Sequence, residues 1–300
     1  MTQLANPEIR IEPTNRCNAC CIMCPRERMT RPQGDMDMGL FKSIVRQAVA
    51  CGAEKVAIEN YGEPFLDPGL FERALYAKSL ALKTSTITNG SLLDKLACRE
   101  ALAWFDTIRI SLSAVTAETY GKVHRGLDFE TVTGNIDTLL DMRRSLGSAT
   151  RILMSFVLLK ENAHEQRAWL AKYEPLVDGV SVWRPHNWSY GKQYRDVSGP
   201  KVTCRRPETG PIQVQWDGKV VPCCFDYDSK MVLGDLTRQS LVEVLRGPEY
   251  ERLRAAHREG RFEDYPCDSC DQLHKNVKSL AYTNIPQMAV GTTCSGMFKL

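Results

Sequence analysis

Four cysteines fall within eight residues near the start of the chain, in the stretch Cys17-Asn18-Ala19-Cys20-Cys21-Ile22-Met23-Cys24. A core cysteine is a small hydrophobic residue with no reason to cluster, whereas grouped thiolates hold a metal ion or an iron–sulfur cluster. Cys17, Cys21 and Cys24 have the spacing C-x3-C-x2-C and supply three ligands, where a closed structural metal site needs four. The stretch therefore predicts a metal centre with one open position, where chemistry takes place.

A zinc knuckle is the alternative interpretation, because Cys17-x2-Cys20 can form half of a zinc site that other cysteines complete. Three features count against it: the further thiols at Cys21 and Cys24, the strand pattern before them, and the lack of a nearby H-x3-5-H sequence. We therefore assign Cys17, Cys21 and Cys24 as ligands of an iron–sulfur cluster. Cys20 is then a spare thiol.

Length and composition are those of an ordinary globular protein: the 300 residues are 43% hydrophobic and 25% charged, with a formal net charge of +3. Acidic and basic residues are interspersed, so a nucleic-acid partner is not expected. No apolar stretch approaches the span of a bilayer and the first residues lack an export signal, so no membrane association is expected. Twelve cysteines without an export signal indicate metal ligation in a reducing cytoplasm.

Six short apolar or β-branched runs alternate with helical patterns, and they predict strands over 9–12, 56–59, 84–88, 107–113, 152–159 and 180–183. Strands at this spacing form a parallel sheet, here curled into a partial (β/α)6 TIM-like barrel. One helix is predicted over 116–146. Asn162 is predicted to cap the next helix, with the acidic Glu165 at its third position.

Polar residues follow the first four predicted strands, at the rim where catalytic groups of such barrels lie. The cysteine loop follows the first strand, and Tyr61-Gly62-Glu63-Pro64 follows the second. Asn89 comes after the third strand, and Ser111 and Ser113 end the fourth. Four candidate features on one rim favour an active site there.

A second set of cysteines lies in the last third of the chain, at Cys204, Cys223, Cys267 and Cys270. A hairpin is predicted between the first two, with strands over 212–216 and 219–221 and a turn at Asp217-Gly218. Helices are predicted over 236–246 and 248–258. Four thiolates fit either tetrahedral zinc or a fully ligated iron–sulfur cluster, and they can staple a segment too small for a large core.

These patterns divide the chain into four expected parts. They are a barrel over 1–186, a connector over 187–203, a small cysteine-rich α+β domain over 204–270 and a C-terminal tail over 271–300. Cys51 and Cys98 fall in predicted helices and are assigned to the core. Cys294 lies in the tail and receives no role.

The two cysteine sets resemble those of the radical S-adenosylmethionine (SAM) superfamily. Tyr61-Gly62-Glu63-Pro64 is similar to the family's Gly-Gly-Glu-Pro segment, with Tyr61 in place of the first glycine. Cys204, the spacing Gly218-x4-Cys223 and the final C-x2-C resemble the family's SPASM extension. The longer SPASM form has more cysteines soon afterwards; their absence here resembles the shortened twitch form.

The resemblance implies two 4Fe–4S clusters, one that binds SAM at Cys17, Cys21 and Cys24 and an auxiliary one at the second cysteine set. In the family, an electron from a low-potential donor such as flavodoxin or ferredoxin cleaves SAM, and the 5′-deoxyadenosyl radical abstracts a hydrogen atom from the substrate. The residues implied to contact SAM are Tyr61, Gly62, Glu63, Pro64, Asn89 and Ser111, with Ser113 as the alternative to Ser111.

Twitch-type relatives include sugar and aminocyclitol dehydrogenases, and related sugar epimerases exist. We expect no room for a peptide-binding module, so a small polar substrate such as a sugar, aminocyclitol or aminoglycoside of a biosynthetic pathway, for example of an antibiotic, is favoured over a peptide. Trp183, Trp188 and Tyr190 are candidates for stacking on a sugar, or for ordinary packing.

The fate of the substrate radical stays open between two routes. Oxidation would pass an electron to the auxiliary cluster, whereas epimerisation requires a hydrogen donor. The Cys224 thiol is the candidate donor, or else a small buried residue. Arg184, beside His186, is a candidate for orienting or deprotonating a substrate hydroxyl, or else a surface arginine.

Overall fold

The computed structural model describes residues 3–187, 193–274 and 277–286. Within them the strands form one sheet, in the order β10-β6-β5-β4-β3-β2-β1-β7-β8-β9. In chain order they are β1 Glu8–Ile11, β2 Lys55–Ile58, β3 Lys83–Thr88, β4 Thr107–Ser111, β5 Arg151–Val157, β6 Gly179–Trp183, β7 Ile212–Val214, β8 Lys219–Val221, β9 Gly234–Asp235 and β10 Leu280–Thr283.

Helices connect the strands, as the sequence pattern predicts. They are α1 Met38–Ala50, α2 Leu70–Ser79, α3 Lys95–Trp104, α4 Ala117–Val123, α5 Phe129–Leu146, α6 Gln166–Tyr173, α7 Arg206–Thr209, α8 Leu241–Leu245 and α9 Pro248–Glu259. In α1, the Asp37 side chain caps the first turn by accepting from the Leu40 backbone amide, at 2.9 Å. None of the helices in the described ranges is long and apolar enough to cross a membrane.

Strands β1 to β6 are parallel and adjacent in chain order, which confirms the predicted α/β barrel class. Their side chains alternate between two faces. One face is apolar and packs beneath the helices; it carries Ile9, Ile11, Val56, Ile58, Ile108, Ile110, Ile152, Met154, Phe156, Val180 and Val182. The opposite face, which we call the lumen, carries polar residues that include Arg10, Ser85, Arg109, Ser111 and Ser155.

The barrel does not close, because both edges of the parallel sheet take other partners. On one side, β7 pairs in parallel with β1, with Ile9 opposite Ile212, and β8 and β9 continue antiparallel. On the other side, β10 pairs antiparallel with β6. The cysteine-rich segment therefore extends the barrel sheet, and part of the expected tail is a strand.

The helix predicted over 116–146 is two helices, α4 and α5. They are separated by a short segment that contains Gly126, whose φ of +87° lies in the left-handed region that favours glycine. The left-handed turn ends the helical path, and Asp128 begins α5 by accepting from the Thr131 amide at 2.7 Å. The break places residues 123–126 beside the cysteine loop.

Asn162 lies at the predicted N-cap position, before the short 3-10 turn Ala163–Glu165, but its side chain makes no cap hydrogen bond. Its amide group instead donates to the carbonyl oxygens of Ser113 and Val157, at 2.8 and 2.9 Å. Glu165 likewise accepts from the Val115 amide, at 2.6 Å. Both side chains join the ends of β4 and β5 to the start of α6.

A buried ion pair connects the end of β1 to the cysteine-rich segment. Glu12 is fully buried, and its two carboxylate oxygens accept from the two terminal nitrogens of Arg31, each at 2.6 Å. The Nε atom of Arg31 donates to the Tyr227 carbonyl oxygen at 2.9 Å, and the Trp216 amide donates to Glu12 at 3.3 Å. The pair therefore joins three segments that are distant in sequence.

Replacing Arg31 with methionine is expected to destabilise the fold by about 3–5 kcal/mol, because it leaves the Glu12 carboxylate buried without its cation. Adding Glu12→Gln to R31M removes that charge and should recover part of the loss. The free energy of unfolding, from denaturant titration, measures both effects. Equal stability of R31M and the unsubstituted protein would show that the pair contributes nothing.

Candidate functional site

The cysteine loop follows β1 and is held by main-chain hydrogen bonds to the segment after α4. The Cys20 amide donates to the Arg125 carbonyl at 2.8 Å, and the Ile22 amide donates to the Val123 carbonyl at 3.0 Å. Between these two bonds lies Cys21. Burial raises the pKa of the Cys21 thiol, and the nearby charges of Cys24 and Cys17 raise it further. The structure thus brings the three predicted ligands together, while Cys20 is exposed.

Both cysteine sets offer only thiols as ligands. Across residues 3–187, 193–274 and 277–286, no group of three or more His, Cys, Asp or Glu side chains is placed to hold one metal ion. A zinc ion holds its sulfur ligands at about 2.3 Å and so draws them around one point, whereas each thiolate of a 4Fe–4S cluster binds a different iron. The donor set is all thiol, which suits iron–sulfur chemistry.

The segment Tyr61-Gly62-Glu63-Pro64 lies directly against the cysteine loop. A Cβ atom on Gly62 would come within 2.2 Å of the Thr14 carbonyl oxygen and 2.7 Å of that of Arg16. The Glu63 amide donates to the same Arg16 oxygen at 2.8 Å. Only glycine permits this approach, so the segment and the loop are fixed relative to each other.

Glu63 is a buried carboxylate anchored at the end of β3. It accepts from the Thr88 hydroxyl and the Asn89 amide, each at 2.7 Å, and from the Phe65 amide at 3.2 Å. Burial raises the pKa of Glu63 to about 7. A cation placed beside it would therefore stabilise its charged form and be bound in return.

Asn89 and Ser111 complete the rim, as the sequence predicts. The Asn89 side chain donates to Oδ1 of Asn18 in the cysteine loop, at 2.9 Å. Ser111 is half-buried, and its hydroxyl lies 3.4 Å from that of Ser155 on β5. Ser113 is buried, and its hydroxyl accepts from the Val157 amide at 3.0 Å. Ser111 is therefore the better placed of the two serines for a ligand.

The second cysteine set also comes together. Burial raises the pKa of Cys267 to about 12, with a further contribution from Cys204. Burial raises the pKa of Cys223 as well, while Arg206 opposes the shift and the charges of Cys267 and Cys270 add to it. The Cys270 amide closes a turn onto the Cys267 carbonyl, at 2.9 Å. Four thiols from three separate segments thus share one neighbourhood.

Cys224 lies between the two sites. Its carbonyl oxygen accepts a hydrogen bond from the Tyr61 hydroxyl, and its sulfur lies 3.5 Å from Nη1 of the buried Arg206. Cys224 also lies within electrostatic range of Arg10, whose side chain belongs to the lumen face. Cys224 is half-buried rather than enclosed in a core.

Arg184 does not have the surroundings of a catalytic arginine. It is exposed, and its guanidinium donates to the carbonyl oxygens of Lys278 and Leu280, at 3.4 and 3.3 Å. These contacts favour the alternative role, in which Arg184 fastens β10 to β6.

Burial lowers the pKa of His186 to about 3, and Nε2 of Gln272 lies 3.1 Å from its Nδ1 atom. Trp188, Tyr190 and Cys294 lie outside the described residues.

Two residues of the site carry no signal in the sequence. His124 lies 3.4 Å from the Cys21 sulfur, and Arg206 lies beside Cys224. Burial lowers the pKa of His124 to about 4, so the imidazole is neutral at pH 7. In the sequence, a single histidine or arginine gives no indication of its neighbours in space. Only the folded chain shows which residues it contacts.

Comparison with known families and proteins agrees with this geometry. The model of the radical SAM superfamily matches residues 11–168, more than half of the chain, and that of the SPASM iron–sulfur cluster-binding domain matches 204–271. The chain belongs to the radical SAM superfamily. Its radical SAM domain holds a 4Fe–4S cluster and binds SAM, and its SPASM domain holds additional iron–sulfur.

The relatives include a probable GTP 3′,8-cyclase of Methanothermobacter thermautotrophicus, 27% identical over 82% of this chain and 93% of that protein. The tungsten-containing aldehyde ferredoxin oxidoreductase cofactor-modifying protein of Pyrococcus furiosus is also 27% identical, over 81% of this chain and 82% of its own length.

Among solved structures, BtrN in complex with AdoMet and 2-DOIA superposes with a TM-score of 0.62 and 18% identity, over 93% of this chain and 96% of BtrN. Streptococcus suis SuiB bound to S-adenosylmethionine gives a TM-score of 0.66 and 17% identity, over 83% of this chain and 68% of SuiB. Both likenesses support the radical SAM fold.

Alkylation of the loaded protein tests the ligand assignment. We expect iodoacetamide to modify the exposed Cys20 after cluster assembly, while Cys17, Cys21 and Cys24 react only once iron is removed. Cys51 and Cys98 are buried and should remain unmodified in both states. Mass spectrometry of the peptides measures each site. Protection of Cys20 together with labelling of any one of the three would overturn the assignment.

Proposed function

We propose that this protein is a radical SAM enzyme that removes a hydrogen atom from a small polar substrate held in the barrel lumen, leading to oxidation or epimerisation. The division of seven cysteines into a set of three on the β1 loop and a set of four after the barrel carries the proposal. Cys17, Cys21 and Cys24 would hold the SAM-binding cluster. Cys204, Cys223, Cys267 and Cys270 would hold the auxiliary cluster. The bound groups supply a 5′-deoxyadenosyl radical and an acceptor for one electron.

The rim residues would position SAM. The Glu63 carboxylate is anchored by three hydrogen-bond donors and lies next to the loop, so it is suited to accept from the ammonium group of the methionine part. Gly62 lets the backbone approach the loop, Pro64 begins the short turn that follows, and the Tyr61 hydroxyl donates to the Cys224 carbonyl. Asn89 and Ser111 are the remaining polar contacts.

The character of the lumen supports a polar substrate. Barrel interiors are ordinarily filled by bulky branched side chains, whereas this lumen carries serines and charges. Nη1 of Arg10 lies 4.0 Å from Oε1 of Glu59, and the charge of Glu59 acts on Arg109. Burial raises the pKa of Glu59 and lowers that of Arg109. A hydroxylated or charged molecule could exchange hydrogen bonds with these groups, and a hydrocarbon could not.

Two routes after hydrogen abstraction correspond to two features of the chain. Four thiolates would ligate all four corners of the auxiliary cluster and leave no open iron for a substrate, which supports an electron-accepting role and a ketone product. The Cys224 thiol supports the other route, in which it would donate a hydrogen atom to the substrate radical and invert the configuration of that carbon. The thiyl radical left on Cys224 would take one electron from the low-potential donor and one proton, which restores the thiol. Arg206 would position that thiol.

A second candidate function comes from the relatives. Two of them are named for a GTP 3′,8-cyclase and for a cofactor-modifying protein, each matched over four-fifths or more of its length. Cyclisation of a purine nucleotide or modification of a cofactor is therefore the alternative small-molecule reaction. A peptide-modifying reaction, as in other SPASM proteins, is a further alternative.

Anaerobic reconstitution tests the proposed chemistry. We expect about eight irons per chain and formation of 5′-deoxyadenosine with a reductant and SAM. The triple variant C17A/C21A/C24A should keep about four irons and lose cleavage, whereas C267A/C270A should retain cleavage. Tightly bound zinc without cleavage would overturn the proposal.

Solvent deuterium separates the two routes, with aminocyclitols, sugars and GTP offered as substrates. If Cys224 is the donor, the product formed in D2O carries deuterium, and Cys224→Ala abolishes incorporation while SAM cleavage continues. Cys20→Ala, which removes an exposed thiol outside both sets, is the matched control. Incorporation that persists in C224A would exclude this residue, and a ketone product without deuterium would support oxidation.

A further inference from the structure

We propose that His124 is a positioning residue for the SAM-binding cluster, which donates an N–H···S hydrogen bond to the Cys21 ligand and raises the reduction potential of the cluster. The inference rests on the proposed assignment of Cys21. It adds a contact from a residue 103 positions away that no metal motif includes.

The fold holds His124 opposite Cys21 through the main chain. The neighbours of His124 accept hydrogen bonds from the neighbours of Cys21: the Val123 carbonyl from Ile22 and the Arg125 carbonyl from Cys20. The His124 amide itself donates to the Tyr120 carbonyl at 2.7 Å, as the last residue of the α4 path. The position of the imidazole is therefore set by the same contacts that set the direction of the Cys21 side chain.

The hydrogen bonds also define which nitrogen carries the proton. The Ser113 amide donates to Nε2 of His124 at 3.0 Å, so Nε2 presents its lone pair. An imidazole whose Nε2 accepts a hydrogen bond carries its proton on Nδ1, and this atom is 3.4 Å from the Cys21 sulfur. The Nδ1–H group of His124 is therefore the donor in this contact, and the Cys21 sulfur is the acceptor.

The imidazole has little freedom to leave this position. It is 2% exposed, and the Tyr120 ring stacks on it with centroids 4.9 Å apart and planes 23° from parallel. Ser113, which orients it, is fixed in turn, because its carbonyl accepts from Asn162 and its hydroxyl from the Val157 amide. This arrangement corresponds to the supporting contacts that orient metal ligands in other proteins.

A hydrogen bond to a ligand sulfur stabilises the more negative, reduced state of a cluster and so raises its potential. The low dielectric of a buried site strengthens the effect. For this enzyme the consequence is practical, since a cluster that is easier to reduce accepts its electron from a weaker donor. Loss of the N–H group should make the cluster harder to reduce without removing it.

The test compares His124→Asn with His124→Leu in the full-length enzyme with both iron–sulfur clusters bound. Asn and Leu have the same shape and both remove the ring, but only Asn keeps an N–H at the position of Nδ1. Redox titration followed by EPR measures each cluster, and the signal that changes on addition of SAM identifies the one with the open iron. The auxiliary signal serves as the internal control.

We compare the SAM-responsive cluster in each variant at one fixed applied potential. The ratio of its reduced to its oxidised form should fall about tenfold in H124L and much less in H124N. The auxiliary signal should remain unchanged. An equal fall in both variants, or no fall in H124L with its cluster loaded, would overturn the role of the N–H group. If the unsubstituted protein shows no SAM-responsive signal, the proposed function itself fails, and the two failures are thus distinguishable.

Discussion

Backbone contacts on both sides of the cysteine loop are the constraint on which the site depends. The loop has no regular secondary structure, so its own sequence cannot direct three thiols toward one centre. On one side Gly62 packs against the carbonyl groups of Thr14 and Arg16, with no room for a Cβ atom. On the other side the amides of Cys20 and Ile22 pair with the segment after α4. Because these contacts are main chain to main chain, they fix the loop whatever its side chains bind.

Hydrogen bonds to one buried carboxylate join the barrel to the cysteine-rich segment. Glu12, one residue beyond β1, accepts from Arg31 and from the amides of Tyr61 and Trp216. The Tyr61 hydroxyl donates to the Cys224 carbonyl, so the residue that replaces a glycine of the family's segment contacts the residue that follows Cys223.

What could be predicted from the sequence is what depends on neighbours along the chain. The cysteine spacing, the six parallel strands and the segment around Glu63 are local patterns, and the structure brings them together at one rim. The parallel pairing of β1 with β7 joins residues about two hundred positions apart, and nothing in either strand specifies the other. Asn162 shows the same limit, since its amide satisfies the ends of two strands instead of the helix it precedes. A polar side chain with several possible partners is assigned only by the tertiary fold.

The charged lumen is difficult to explain by stability. Glu59 and Arg109 both have pKa values displaced by burial, which means that each gives up hydration to lie there. Glu59 pairs with Arg10, and buried ion pairs often contribute less than well-packed aliphatic side chains of the same volume. On the other face of the same strands, the chain does use isoleucine, valine and methionine, at no exposure. The contrast between the two faces of one sheet is what the proposed polar substrate in the lumen would require, since the same strands carry aliphatic side chains on the face that packs beneath the helices.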